Sequence, residues 1–218
     1  MQIAIDGPSG AGKSTIAKLL AEKMNCIYLD TGAMYRTVGL LAVRTNTDRH
    51  DDAALAELLK NADIRVLRVD GSQHMALGGE DVEKLIRTPE ISMAASDVAS
   101  CPSVRRALVA LQQKIAAGCD VVMDGRDIGT RVLPDADYKF FLTASDKVRA
   151  QRRYDELKGK GESVTLQEVL EDVRRRDEQD TTRAESPLTI ADDATEVETD
   201  DLGIDEVVTV LMALMGRF

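Results

Sequence analysis

The chain of 218 residues contains no Trp, and aromatic residues make up only 3% of it. So few rings cannot supply the row of stacking faces that holds single nucleic-acid strands. Positive charge is not in excess either: 28 Lys and Arg stand against 38 Asp and Glu, a formal net charge of −10. That balance argues against a non-specific nucleic-acid binder and against attraction to an anionic membrane. Cysteine is scarce, and Cys26, Cys101 and Cys119 form no C-x-x-C pair. They read as small buried residues in a reducing compartment, not as a disulfide frame or a zinc site. His50 and His74 have no metal-ligand spacing around them. No apolar run approaches the ~20 residues of a membrane span. The first residues lead straight into a strand-type run, without a basic-then-apolar signal. The expectation is a cytoplasmic protein that binds neither nucleic acid nor membrane.

What is present is arginine, 18 of the 28 basic residues. Its planar fork grips phosphate or carboxylate at two points. An acidic chain rich in Arg either keeps its positive charge in one cleft or spreads it as surface solubiliser.

The most specific stretch is "IAIDGPSGAGKSTIAKLL", residues 3 to 20. A short apolar strand ends at Asp6. Gly7, Pro8, Ser9, Gly10, Ala11, Gly12, Lys13 and Ser14 then match G-x-x-x-x-G-K-[ST] at every defined position. Ile16, Leu19, Leu20 and Met24 follow at helical spacing, so strand, loop and helix come in the order the motif requires. Glycines let backbone N–H groups turn inward around a phosphate, and the helix start turns its positive end to the same anion. Lys13 supplies a mobile charge for the outer phosphates, and Ser14 can ligate Mg²⁺. With the adjoining Thr15, this loop is expected to hold a nucleoside triphosphate, ATP above all.

Further along, "CIYLD" predicts a second strand ending at Asp30, and "TGAMYRTVGLLAVR" a helix that Thr31 can cap. "DDAALAELLKNA" predicts a short helix with Leu55, Leu58 and Leu59 on one face. "IRVLRV", the Asp70-Gly71 turn signal and "HMALGG" predict an antiparallel hairpin. Thr88-Pro89 and Pro102 open two more helices, the second running towards Gly118. "DVVMD" predicts a buried strand ending at Asp124, and "YKFFLTAS" another, after which Ser145 caps a helix through Tyr154. "KGKGES" at 158–163 predicts a mobile basic turn. Thr165 and Glu168 form a capping box opening a helix with Leu166, Val169, Leu170 and Val173 on its buried face. A short strand near "TEVET" and a helix over 203–216 close the chain. Strands alternating with helices predict an α/β fold, a parallel five-stranded P-loop sheet with helices on both faces. Ligands in such folds gather at the carboxyl ends of strands, so residues 6, 30 and 124 are expected to converge.

Three clusters at or after strand ends combine Arg with hydrogen-bonding partners. "LDTGAMYR" offers Asp30, Thr31, Tyr35 and Arg36. "DGRDIG" offers Asp124, Arg126 and Asp127. An Asp directly after a buried strand, in a chain with a P-loop, is the usual second contact for Mg²⁺ and its water, though Asp-Gly is also a common turn pair. "RRRDEQDTTR" places Arg176, Asp180 and Arg183 on one helix face, pointing either into a polar cleft or to solvent as a charged helix end.

Taken together, "IAIDGPSGAGKST", "LDTGAMYR", "GEDV", "IRTPEI", "VRRAL", "DGRDIGT", "KFFLTAS" and the spaced "RD..D..R...PL" resemble bacterial cytidylate kinases, from residue 3 to about 188. The resemblance implies transfer of phosphate from ATP, with Mg²⁺, to CMP or dCMP. It implies a core of residues 1–34, 103–148 and 164–218, an acceptor-binding lobe over 35–102 carrying the small antiparallel sheet, and a short lid over 149–163. Thr31, Arg105, Asp127 and Arg183 would face the cytosine, and Ser96, Arg176 and Asp180 the sugar. Arg36 and Arg126 would hold the acceptor phosphate, with Lys13 and Asp124 completing the catalytic set. Ser14 and Asp124 would hold the metal, and Arg149, Arg152 and Arg153 would cover the donor phosphates. The family implies a monomer. A related kinase with UMP, AMP or shikimate as acceptor is the nearest alternative. A P-loop switch protein is disfavoured, because no Asn is followed by Lys to start a guanine contact.

Overall fold

The structure is a computed structural model and describes residues 1–69 and 71–217. Its elements alternate as the hydrophobic patterns require. Strand β1 (Gln2–Asp6) leads through the glycine loop into α1 (Lys13–Met24), then β2 (Ile27–Asp30) and α2 (Thr31–Arg44). Next come α3 (Asp52–Lys60), β3 (Ile64–Val69), β4 (Ser72–Leu77) and β5 (Glu80–Asp81), followed by a short 3₁₀ turn at Leu85–Arg87. Helices α4 (Pro89–Val98) and α5 (Pro102–Ala116) precede β6 (Val121–Asp124) and a π-type turn at Ile128–Val132. The chain ends with β7 (Tyr138–Thr143), α6 (Asp146–Gly159), α7 (Leu166–Thr182), β8 (Thr195–Glu198) and α8 (Ile204–Leu214).

The large sheet has the order β2-β6-β1-β7-β8, with β1 parallel to both β6 and β7, and β7 parallel to β8. This is the expected five-stranded parallel sheet. Ile5 lies opposite Asp124, so the loops leaving β1 and β6 start side by side. The chain forms two compact units, one of residues up to Tyr28 with those from Cys119 onward, the other Leu29–Gly118. The first is built on Ile3, Ile5, Leu20, Val122, Leu142 and Leu211, all essentially sealed from water between β-strands and helices α1 and α8. Burial on this scale supplies most of the driving force for folding.

In the second unit, α2 packs on α4 at a close approach set by Gly39. A Cβ there would stand 2.9 Å from the Ala95 nitrogen, so only Gly allows this contact. The expected hairpin is present as β3–β4, in register from Ile64↔Leu77 to Val69↔Ser72. Gly71 has φ 79°, and its expected turn partner Asp70 lies outside the described residues. A third strand, the two-residue β5, adds to β4 and was not expected from its acidic sequence.

Several local expectations need correction. The cap of α2 is Asp30, not Thr31: the Asp30 carboxylate accepts from the Ala33 N–H at 2.8 Å. Helix α6 continues to Gly159, so the basic turn begins later than residue 158. The helix end is held by Glu156, which pairs with Arg153 on the same helix and with the C-cap residue Lys160. In α7 the capping box of Thr165 and Glu168 forms, but Leu166 is 41% exposed. On α3, Leu55 alone of its three leucines is buried.

Candidate active site

The glycine loop is shaped by Gly7, whose φ of 144° is open to glycine alone. A Cβ there would fall 2.0 Å from the Leu142 carbonyl oxygen on the neighbouring strand β7. Helix α1 then starts at Lys13 behind its N-cap Gly12, with no side chain capping its first N–H groups. An uncapped helix start leaves its first N–H groups and the positive end of the helix available to an anion.

Lys13 is buried at the same point, and its Nζ donates to the Pro8 carbonyl at 2.6 Å. Burial and the nearby Arg126 push its pKa down to about 7, against the opposite pull of Asp124, Asp180 and Asp6. Ser14 Oγ donates to Asp124 Oδ2 at 2.6 Å, and Tyr28 donates to Asp124 Oδ1 at 2.9 Å. One hydroxyl from the first turn of α1 and one carboxylate from the end of β6 thus meet beside the glycine loop. Among the described residues no group of three His, Cys, Asp or Glu could hold a metal by itself. A cation here would complete its shell from phosphate and water, as Mg²⁺ does.

Asp6, at the end of β1, is buried and accepts from the Ile128 and Gly129 N–H groups at 2.8 and 2.7 Å. Burial, set against those two hydrogen bonds, pushes its pKa up to about 6. These bonds tie the segment after Asp127 to the glycine loop, and Asp127 itself is buried at that turn.

Arg126 Nε donates to Asp180 Oδ2 at 2.7 Å, and Arg183 approaches Asp180 Oδ1 at 3.4 Å. Burial alone would raise the Asp180 carboxyl; Arg126 and Arg183 outweigh it and hold it below the ordinary range. Arg183 also donates to the Ser186 carbonyl at 2.6 Å. Arg176 lies one turn earlier on α7 with Asp172 2.9 Å from its Nε, yet that N–H lacks a well-aligned acceptor. Burial, followed by its Arg neighbours, lowers the pKa of Arg176. Of the third sequence cluster, Arg176, Asp180 and Arg183 thus form a partly buried ionic group, while Arg174 and Arg175 face solvent.

Arg149 is also buried, and donates to the Ser9 carbonyl at 3.0 Å and the Ala144 carbonyl at 2.9 Å. Asp177 receives its two terminal nitrogens at 2.9 and 2.6 Å. In this arrangement Arg149 grips the backbone of the glycine loop. Arg152 is turned to Thr199, and Arg153 to Glu156.

The second unit carries the remaining residues. Asp30 is nearly buried, and its Oδ2 accepts from Arg36 at 2.8 Å and Arg87 at 2.9 Å. Burial works to raise its carboxyl, and the two guanidinium groups hold it below the ordinary carboxylate range. Arg36 keeps a buried Nε with no acceptor among the described residues. A buried donor in that state costs stability unless a ligand satisfies it. The Arg105 guanidinium lies over the Tyr35 ring, 5.6 Å from its centroid. Thr31 is buried and Ser96 half-buried, on α2 and α4.

Sequence reasoning missed Gln73, Tyr28, Arg87 and Asp177, each of which holds a named site residue. Tyr28 had a signal, as the polar-tipped residue two places before a strand end. Gln73 had none, because its partner Asp30 is 43 residues away.

Comparison with solved structures places the fold. A shikimate kinase from Bacteroides thetaiotaomicron is similar with a TM-score of 0.54 and 16% identity, over 99% of this chain and 98% of that one. At such identity the likeness concerns the fold alone. Sequence comparison is more specific. The chain is 49% identical to a cytidylate kinase of Caldicellulosiruptor bescii, over 100% of this chain and 96% of that protein. It is 50% identical to one of Carboxydothermus hydrogenoformans, over 100% and 98%, and 49% identical to one of Bacillus subtilis, over 95% and 92%. The family model described as cytidylate kinase matches residues 3–217. With that match added to full-length identities of about one half, the chain belongs to the cytidylate kinase family.

Proposed function

We propose that the chain transfers the γ-phosphate of ATP to CMP or dCMP, giving CDP or dCDP and ADP. The observation that carries this reading is the family match over residues 3–217, joined to a glycine loop with its lysine and uncapped helix start. The acceptor phosphate is already an anionic nucleophile, so no strong general base is needed. One of its oxygens attacks the γ-phosphorus in line; the bond to the bridging oxygen breaks, and ADP leaves with those electrons.

Each residue has a physical task. Gly7 to Thr15 cradle the donor phosphates, and Lys13 leaves the Pro8 carbonyl for the outer ones. Ser14 and Asp124 would hold Mg²⁺, directly or through water, and that ion supplies neutralisation of the phosphate charge. Arg36 and Arg126 hold the acceptor phosphate, and the open Nε of Arg36 fits that role. Thr31, Arg105, Asp127 and Arg183 read the base. Arg donates to the cytosine carbonyl and ring nitrogen, and Asp accepts from its amino group. A base of reversed pattern sets donor against donor and acceptor against acceptor at these groups. Asp180 and Arg176 take the sugar with Ser96, and Tyr35 supports Arg105.

Residues 35–102 serve as the acceptor lobe and 149–163 as a lid that excludes water, with Arg152 and Arg153 leaving Thr199 and Glu156 to cover the donor. The protein works as a monomer, in the cytoplasm, where the free thiols of Cys26, Cys101 and Cys119 are at home. UMP, AMP or shikimate as acceptor is the reading this one displaces. The test follows label from γ-labelled ATP. The proposal expects it in CDP and never on the protein; a labelled protein intermediate contradicts direct transfer.

A further inference from the structure

The three-stranded sheet has no task in the chemistry above. One side chain connects it to the acceptor residues. Gln73, on β4, accepts from the Asp30 N–H at 2.8 Å through Oε1 and donates to the Asp30 carbonyl at 3.2 Å through Nε2. A single amide thus clamps both polar groups of one residue's main chain. That residue is the cap of α2, with an extended backbone at φ −76° and ψ 95°. Its carboxylate spends Oδ1 on the Ala33 N–H and Oδ2 on Arg36 and Arg87. The direction of the Asp30 side chain therefore sets where the Arg36 fork lies, and the clamp sets the direction of Asp30. Gly32 leaves the space this needs, since a Cβ there would lie 3.1 Å from both Arg36 and Asp30.

We propose that Gln73 is a positioning residue for the acceptor phosphate, acting through the Asp30 main chain on Arg36. This rests on the role given to Arg36 above. Without the amide, the Asp30 peptide loses a fixed partner on each side, and the buried N–H must find water or stay unpaired. Arg36 then samples more directions, and an anion that needs a bidentate grip binds less well. The neighbouring Thr31 moves with the same backbone. The clamp touches no donor residue, so ATP binding is indifferent to it.

The experiment measures KM for CMP, KM for ATP and kcat for Gln73→Ala and for Gln73→Met, which keeps the length of the side chain and lacks the amide. The expected result is a rise of about three- to tenfold in KM for CMP, with KM for ATP unchanged. His74→Ala, on the other face of β4 and paired to Asp81, serves as control and leaves both constants unchanged. A double-mutant cycle with Arg36→Lys adds the decisive reading. If Gln73 acts through Arg36, Gln73→Ala costs less than about twofold in the Arg36→Lys background. An equal loss in both backgrounds overturns the proposal, as does an unchanged KM for CMP or an equal rise in KM for ATP. A wild-type protein that does not phosphorylate CMP overturns the underlying functional reading instead.

Discussion

Arg126 and Asp180 form a charged pair 2.7 Å apart, joining the loop after β6 to the later turns of α7. The pair is partly buried, and Arg183 leans on the same carboxylate. It sets one strand-end loop and one helix face in a fixed relation. Removing Asp180 takes the ion-pair partner from Arg126, and removing Arg126 leaves Asp180 with Arg183 alone as its ion-pair partner.

Asp180→Ala is expected to raise KM for CMP at least about tenfold while leaving KM for ATP within twofold. Arg126 loses its Nε partner, and in the proposed site it then drifts from the acceptor phosphate while the sugar loses an acceptor. Steady-state kinetics over both substrates decides the matter; an unchanged KM for CMP removes Asp180 from the site.

Lys13→Met is expected to abolish transfer and yet raise thermal stability. Lys13 has a folded pKa of about 7, below its ordinary 10.5. Between those values the unfolded chain holds a proton that the folded chain does not, so this residue's contribution to stability rises with pH across that window. Below about 7 both states are protonated and the full cost of the buried charge is present. The gain on substitution is therefore largest at pH 7 and below, and shrinks towards pH 10.5. Melting temperatures from pH 6 to 9 check it; a variant that melts lower than the parent at pH 7 contradicts the burial cost.

Ser14→Ala removes the hydroxyl that meets Asp124 at 2.6 Å. Turnover is expected to fall about a hundredfold, with the magnesium concentration for half-maximal rate shifted upward. A magnesium titration of the rate reads both effects, and an unshifted midpoint separates Ser14 from the cation.

Gly7→Ala places a methyl group 2.0 Å from the Leu142 carbonyl at a φ of 144°. The cost is on the order of 2–4 kcal/mol, which lowers the melting temperature by at least about 5 °C. Calorimetry checks this, and an unchanged melting temperature means that the loop does not hold this shape in solution.

Much of this site was legible because its signals are local. The glycine loop fixes spacing within eight consecutive residues, and strand β1 and helix α1 flank it where hydrophobic period says they must. Helix arithmetic put Arg176 and Asp180 on one face of α7, but it could not choose between cleft and solvent, and Arg183 lies past the helix end at Thr182 in extended backbone. Contacts at long sequence separation were not legible. Gln73 on Asp30, Asp6 on Gly129 and Asp177 on Arg149 depend on how elements dock, which no periodicity reveals. The cap of α2 was ambiguous for a different reason. Asp30 and Thr31 both have capping side chains, and the tie is broken by Arg36 and Arg87, which hold the Asp30 carboxylate in place. Strand β5 escaped because Glu80 and Asp81 are poor strand formers, and pairing with Ala76 and Leu77 overrides their preference.

The most direct test of the account is the specificity constant for ATP-dependent transfer to CMP, dCMP, UMP, AMP and shikimate, measured by coupled ADP release. The account predicts that CMP and dCMP exceed every other acceptor, with AMP and shikimate at least about a hundredfold worse because their groups do not match the donors and acceptors of the proposed base site. A preference for AMP or shikimate, or ADP release that does not depend on the acceptor, would contradict it.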